Sequence, residues 1–198
     1  MSTKSPLNFQ CGCGQVQAQL SPAGVSGGSH IQCYCKDCQA SARHLGYDLP
    51  PHGGTELIQT TPDAITITNG VDQLAILRLS PNGLCRWYAT CCNTPMFNTL
   101  QRKTLPFAGV VVHASESKSV DQAMGPIWGH AFTAAAPANS GAPTEDKKMA
   151  RIGTKMLGRL ISAYLSGRAG QNPFLTKDKE WITVPKVLTL EERKAATR

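Results

Sequence analysis

Three cysteine groups hold the chemistry legible in this chain: Cys11 and Cys13 in "CGCG", Cys33, Cys35 and Cys38 in "CYCKDC", and Cys91 and Cys92 in "CC". Two thiolates from one tight turn supply half of a tetrahedral metal set, so such pairs must combine across the fold. Gly12 and Gly14 suit the Cys11 turn, since glycine tolerates positive φ and lets backbone N–H groups approach the sulfurs. The middle group differs. Its three thiols leave a fourth position that no adjacent residue need fill, and an open position separates a catalytic zinc from a structural one. The alternative there is a closed four-cysteine site completed by Cys85, Cys91 or a cysteine of another group. Two Zn²⁺ per chain are expected, because three cysteine groups cannot be satisfied by one tetrahedral ion.

Composition supports metal over disulfides. With 198 residues and 41% hydrophobic content the chain can bury a core unaided, so its eight cysteines need another explanation. The stretch "MSTKSPLNFQ" has no apolar run of the signal-peptide kind, and no 18-residue apolar run occurs anywhere, so a cytoplasmic protein without a membrane partner is expected. The net charge of +7 is uneven: residues 1–143 carry eight Lys/Arg against seven Asp/Glu, and residues 144–198 carry twelve against six. Counting seven ligand thiolates and two Zn²⁺ makes the first part mildly acidic, which argues against a nucleic-acid partner. A redox role for Cys91-Cys92 is disfavoured, because vicinal disulfides are strained and Cys-X-X-Cys spacing is absent there.

The elements that must position these thiols read as short strands with turns between them. "QVQAQL" alternates through Val16, Ala18 and Leu20, and "AITIT" through Ile65 and Ile67. Asn69-Gly70 and Pro81-Asn82-Gly83 predict two successive hairpins through "VDQLAILRL" and "LCRWYA", and "FAGVVV" over 107–112 is a further strand. Little helix is expected before residue 131. The fold class is mainly β, a two-sheet sandwich with a C-terminal helical extension. The expected division is a β domain over 1–130, an Ala/Pro-rich linker over 131–143, and a basic helical segment over 144–198 packed on the β domain. Within the last, Thr144 caps a helix running to about Ser166, with Met149, Ile152, Met156 and Leu160 in an apolar row and Lys148, Arg151, Lys155 and Arg159 in a basic one. A short strand "WITVP" and a capping box at Thr189 and Glu192 follow.

The stretches "CGCGQV", "CYCKDC" and "ATCCNTPMF" resemble, in order and spacing, the glutathione-dependent formaldehyde-activating enzyme (GFA) family, also called the centromere protein V family. "NPF" and "VPKVLTLEER" are similar to that family's closing segments. The resemblance implies a two-sheet zinc fold of the β-tent kind. It further implies a structural zinc on Cys11, Cys13 and the last group, and a catalytic zinc on Cys33, Cys35 and Cys38. One departure matters: Ala89 stands where the first cysteine of the family's final Cys-X-X-Cys belongs. The fourth structural ligand is then Cys91, Cys85 or a non-cysteine group. Asn93 replaces a glycine, a milder change because Asn tolerates the left-handed region.

The chemistry that the resemblance implies is carbon–sulfur bond making or breaking in an adduct of an aldehyde with a small thiol such as glutathione, a carbon–sulfur lyase reaction. His30, His44, His113 and His130 are candidate proton donors, none of them assignable from sequence. The rival reading is a zinc-stabilised β binding module without chemistry, with an acidic or protein partner for the basic row.

Overall fold

The computed structural model describes residues 4–197. Alternation of apolar residues builds two sheets. The smaller holds β1 (Leu7–Gln10), β2 (Gln17–Leu20) and β5 (Ile65–Asn69) in the order β1-β2-β5, all antiparallel. The larger combines β3 (Ser29–Cys33), β4 (Thr55–Thr60), β6 (Leu74–Arg78), β7 (Cys85–Ala89), β8 (Thr94–Thr99), β9 (Ala108–Val111), β10 (Gly129–Ala131) and β11 (Lys186–Val187). Its order is β10-β3-β4-β9-β8-β7-β6-β11, with the two edge strands β10 and β11 running parallel to their neighbours. The main core contains Phe9, Leu20 and Ile65 of the small sheet together with Ile58, Ile76, Trp87, Phe97 and Val110 of the large one. The chain is therefore mainly β with two sheets.

Phe174, from the "NPF" stretch, enters this core fully buried, 4.8 Å from the ring of Trp87 and 5.3 Å from that of Phe97. The Asn172 side chain accepts the Phe174 N–H at 3.0 Å, which turns the chain inward at that point. A second apolar cluster joins Ile31, Cys33, Cys38, Leu57, Val111, Ala131 and Ile152, and a third joins Ala40, Leu45, Leu77, Leu79, Leu188 and Ala196. They involve α2 (Lys36–Leu45), α4 (Met149–Leu165) and α5 (Leu190–Thr197); α1 (Pro22–Gly27) and α3 (Ala114–Met124) complete the described helices. In α4 Ile152 is buried and packs where Gly129 has no side chain: a Cβ there would meet Ile152 Cδ1 at 2.9 Å.

Four sequence expectations are corrected. Asn69-Gly70 does not close a hairpin: β5 pairs with β2, β6 pairs with β7, and the chain crosses between sheets through Gly70 (φ 68) and a 3₁₀ turn at Val71–Gln73. Gly70 lies so close to the Gln15 carbonyl that an added Cβ would sit 2.4 Å from it, so the glycine serves a close approach and not a tight turn. Helix is more plentiful before residue 131 than expected, because α1, α2 and α3 are too short for a strong periodic signal. The long helix begins at Met149 instead of Thr144, since Asp146 accepts the Thr133 N–H and hydroxyl at 2.7 and 2.9 Å and Lys147 bridges to His130. Finally, the strand after Trp181 is displaced to Lys186–Val187, where Leu188 N–H donates to the Arg78 carbonyl beside β6. The capping box is present: Glu192 N–H donates to Thr189 Oγ1 at 3.2 Å and Thr189 N–H to Glu192 Oε2 at 2.8 Å.

One buried polar link ties β3, β4 and α3. His30, 1% exposed, faces the Gly125 carbonyl through Nδ1 and Glu56 Oε1 through Nε2, both at 2.8 Å, and Ser117 Oγ donates to the other Glu56 oxygen. Both ring nitrogens meet acceptors, so the geometry suits the imidazolium. Desolvation opposes that charge, but the Glu56 and Gly125 bonds outweigh it and raise the His30 pKa above its ordinary value. A raised folded-state pKa gives stabilisation that is full below the unfolded value of about 6.5 and is lost as pH rises through the folded value. The stability gap between the native chain and His30→Gln, measured by urea unfolding, is expected to be widest near pH 6 and to narrow toward pH 8. A gap that widens over that range contradicts the assignment.

Candidate metal centres

The first thiol pair lies in the turn between β1 and β2. Cys11 N–H donates to the Val16 carbonyl, Gly14 N–H to the Cys11 carbonyl, and Gly14 takes φ 75, which folds Cys13 back beside Cys11. Gly12 serves differently: its N–H donates to Thr94 Oγ1 at 3.0 Å, docking this turn on the start of β8. The last pair lies in the turn between β7 and β8. Cys91 and Cys92 are outside either strand, so the opposite-face rule for adjacent strand residues does not apply to them. Asn93 supplies the left-handed residue at φ 55 that this turn requires.

These turns bring four sulfurs together. Cys11 Sγ is 3.6 Å from Cys13 Sγ and 3.8 Å from Cys91 Sγ, Cys13 and Cys91 are 3.3 Å apart, and Cys91 and Cys92 are 3.9 Å apart. A tetrahedral Zn–S bond near 2.3 Å implies an S···S edge of about 3.8 Å, so the set has the size of a four-thiolate metal site. All four ligand atoms lie within 4.8 Å of one another. Donors for their charge are present: Val16 N–H points to Cys11 Sγ at 3.2 Å and the Thr94 hydroxyl lies 3.0 Å from Cys92 Sγ. Desolvation opposes ionisation of Cys92, yet the Thr94 hydroxyl and nearby N–H groups bring its thiol down to about 6. Cys85, the other sequence candidate, is fully buried in β7 and takes no part in either sulfur group.

The second group is built by the end of β3 and the start of α2. Cys35 is the N-cap of α2, its sulfur accepting the Cys38 N–H at 3.3 Å, and this turn brings Cys38 Sγ to 3.9 Å from Cys33 Sγ. Cys33, Cys35 and Cys38 lie within 4.8 Å of one another with no fourth His, Cys, Asp or Glu in the group among the described residues. Each sulfur group could hold a metal ion. Without an ion the thiols share charge unequally. The neighbouring Cys33 and Cys35 thiols donate to Cys38 and, with Arg86, hold it well below the usual thiol range. Hydrogen bonding to Cys35 and Cys38 pushes Cys33 up; the bond from Cys33 lowers Cys35, but its hydrogen bond to Cys38, burial and the Cys38 charge together outweigh that and bring it up to about 11.

Sequence reasoning missed Arg86. It is 5% exposed in β7, with Nη1 3.6 Å from Cys38 Sγ and 3.3 Å from Asn98 Oδ1. Its signal was available: a cation inside the otherwise uncharged strand "LCRWYA" needs a buried anion beside it. Cys38, Tyr47, Thr55, Arg86 and Asn98 line a cavity of 20 Å³, room for about one water. Tyr47, Leu49, Thr55 and Val111 also line an adjoining cleft of 570 Å³. None of the four candidate histidines lines either space. His30 is held in the link above, and His130 packs against the Tyr34 ring. His44 is half-buried in the last turn of α2. His113 comes nearest, its Nδ1 2.7 Å from the Tyr47 hydroxyl. Burial lowers the His113 pKa below its ordinary value, so it is neutral at pH 7.

Comparison with known proteins assigns the chain to a family of unknown function, DUF6151, which matches residues 1–182; the chain belongs to that family. A crystal structure of a Rhodobacter sphaeroides protein resembles 64% of this chain over 100% of its own length, at 13% identity and a TM-score of 0.41. No curated protein matches.

The sulfur geometry separates Cys91 from Cys85. Cys91→Ser is expected to lower thermal stability sharply and to make it insensitive to chelator at the Cys11 turn, since a closed site carries folding energy. Cys85→Ala, which removes a small buried group, should cost no more than about 2 kcal/mol and leave metal content unchanged. Loss of metal from Cys85→Ala, measured by elemental analysis, contradicts the ligand assignment.

Proposed function

We propose that this member of the DUF6151 family is a zinc-dependent, GFA-like protein acting on the carbon–sulfur bond of a small-thiol aldehyde adduct, with glutathione the type of thiol. The observation that carries this reading is an asymmetry. One group assembles four sulfurs; the other assembles three beside a cavity that adjoins a cleft of 570 Å³, within the range of small-molecule sites. The sulfur spacings fit Zn²⁺ at both groups, and the all-thiolate donor sets suit it.

Zinc at the three-thiol group would supply a Lewis acid and an exchangeable position for a thiolate sulfur. The chain's own residues have separable tasks around it. Cys33, Cys35 and Cys38 hold the ion. Arg86 offsets the excess negative charge of three thiolates, and Asn98 accepts from Arg86 and so fixes the guanidinium. Tyr47 is the proton-bearing group best placed between cavity and cleft. Desolvation and the nearby Glu116 and Asp48 raise its pKa, so its hydroxyl stays protonated, and neutral His113 Nδ1 lies within hydrogen-bond distance of it. The reading assigns Cys11, Cys13, Cys91 and Cys92 a structural ion that clamps the two turns.

Cobalt substitution tests this directly. With Co²⁺ at both sites, adding glutathione is expected to change the visible spectrum, because a fourth sulfur enters the open site; Cys35→Ser should abolish that change, and Tyr47→Phe should retain it while slowing adduct cleavage by about 10²-fold or more. A silent spectrum in fully metallated protein over a wide range of thiol concentration overturns the lyase reading and favours a zinc-stabilised β module.

A further inference from the structure

The helix α4 buries only one of its two apolar rows. Ile152 and Ala163 are buried, and Met156 and Leu160 are half-buried. The adjoining row is open at Leu157, Ile161 and Leu165, which are 55%, 50% and 86% exposed, while Tyr164 beside them donates its hydroxyl to the Thr104 carbonyl. Between and beside them Gly153 and Gly158 face open space, since a Cβ added at either meets nothing within 4 Å. This row is a ridge, not a groove. The opposite flank of the same helix carries Lys148, Arg151 and Lys155, which gather around the Trp128 ring at 5.8, 5.5 and 5.5 Å. None of the three has an ion-pair partner among the described residues. From Lys147 to Lys177 the chain contains seven Lys/Arg and no Asp or Glu.

We propose that α4 is a docking surface for an anionic lipid bilayer, with Leu157, Ile161 and Leu165 entering the interface and Arg151 and Lys155 meeting lipid phosphates at its edge. An exposed apolar row flanked by unpaired cations is the pattern of a helix that lies in a membrane interface. Charge selects the occupant. Crowding three cations around one indole without an acid is relieved by a negative surface, and a bilayer offers many phosphates at no fixed geometry. A second copy of this chain would bring a like-charged acid-free segment opposite its own. An amphipathic partner helix would need a groove to receive it, which a ridge does not supply. No described helix is long and apolar enough to cross a membrane, so the contact is with the surface. This inference does not depend on the chemistry proposed at the three-thiol site.

The test is flotation of the full-length, metal-loaded chain with vesicles of phosphatidylcholine, with and without phosphatidylglycerol. The native chain should float with the anionic vesicles and be released by raised salt, and neutral vesicles should retain it poorly. Leu157→Asp with Ile161→Asp, and separately Arg151→Glu with Lys155→Glu, should each weaken binding about tenfold or more. Unchanged circular dichroism and metal content certify that either variant is folded, and the two pairs act through different chemistry, so one suffices if the other fails. Equal binding to neutral and anionic vesicles, or native binding by both folded variants, overturns the proposal. A native dimer that Leu157→Asp with Ile161→Asp converts to a monomer also overturns it, by showing that a second copy covers the ridge.

Discussion

The approach of the Cys11–Cys13 turn to the Cys91–Cys92 turn, 80 residues away along the chain, is the contact on which the rest depends. Four thiolates cannot be left 3.3 to 3.9 Å apart as charges, nor do four neutral thiols, only one of them buried, gain much by meeting. A divalent ion would resolve the repulsion and turn the meeting of two loops into folding energy. The two turns belong to different sheets, the first joining β1 to β2 and the second joining β7 to β8. Fastening them would fix one end of the sandwich. Phe174, seated against Trp87 and Phe97, closes the same core by a different means, through aromatic packing.

The three-thiol group shows a second arrangement of the same ligand. Its sulfurs come from consecutive elements, so assembling them needs only the junction of β3 and α2 and asks little of the distant fold. What the distant fold contributes is charge and space: Arg86 arrives from β7 and Asn98 from β8, and the cleft opens between the loop that follows α2, β4, and the junction of β9 with α3. The four-sulfur group therefore joins distant parts of the chain, whereas the three-sulfur group is local to one strand–helix junction.

Much of this was legible in residue types and spacing. The cysteine groups, the β character of the first two-thirds and the capping box at Thr189 follow from local rules that tertiary contacts reinforce. The choice between Cys91 and Cys85 did not follow, because it turns on whether Cys91 lies in a strand or a turn, and Asn93 at φ 55 decides that. The hairpin expected at Asn69-Gly70 failed for a related reason: the glycine answers a crowded backbone at Gln15, a contact invisible along the chain. Tyr47 carried no motif, and its position at the cavity follows only once α2 is seated on the sheet. Arg86 is the instructive miss, since a lone cation in an uncharged strand already implied a buried counter-charge. In α4 the opposite happened. Periodicity identified the row through Ile152, Met156 and Leu160, and packing on Gly129 buries Ile152 while the adjoining Leu157 and Ile161 stay open to solvent.

The central claim is that the chain holds two metal ions with unequal sulfur coordination, and counting them is the most direct check. Native mass spectrometry of protein purified without chelator is predicted to give two zinc ions per chain, with Cys35→Ser keeping one ion and its fold and Cys13→Ser losing both an ion and the cooperative unfolding transition. One zinc or none in folded native protein, or equal loss of structure in the two variants, contradicts the account.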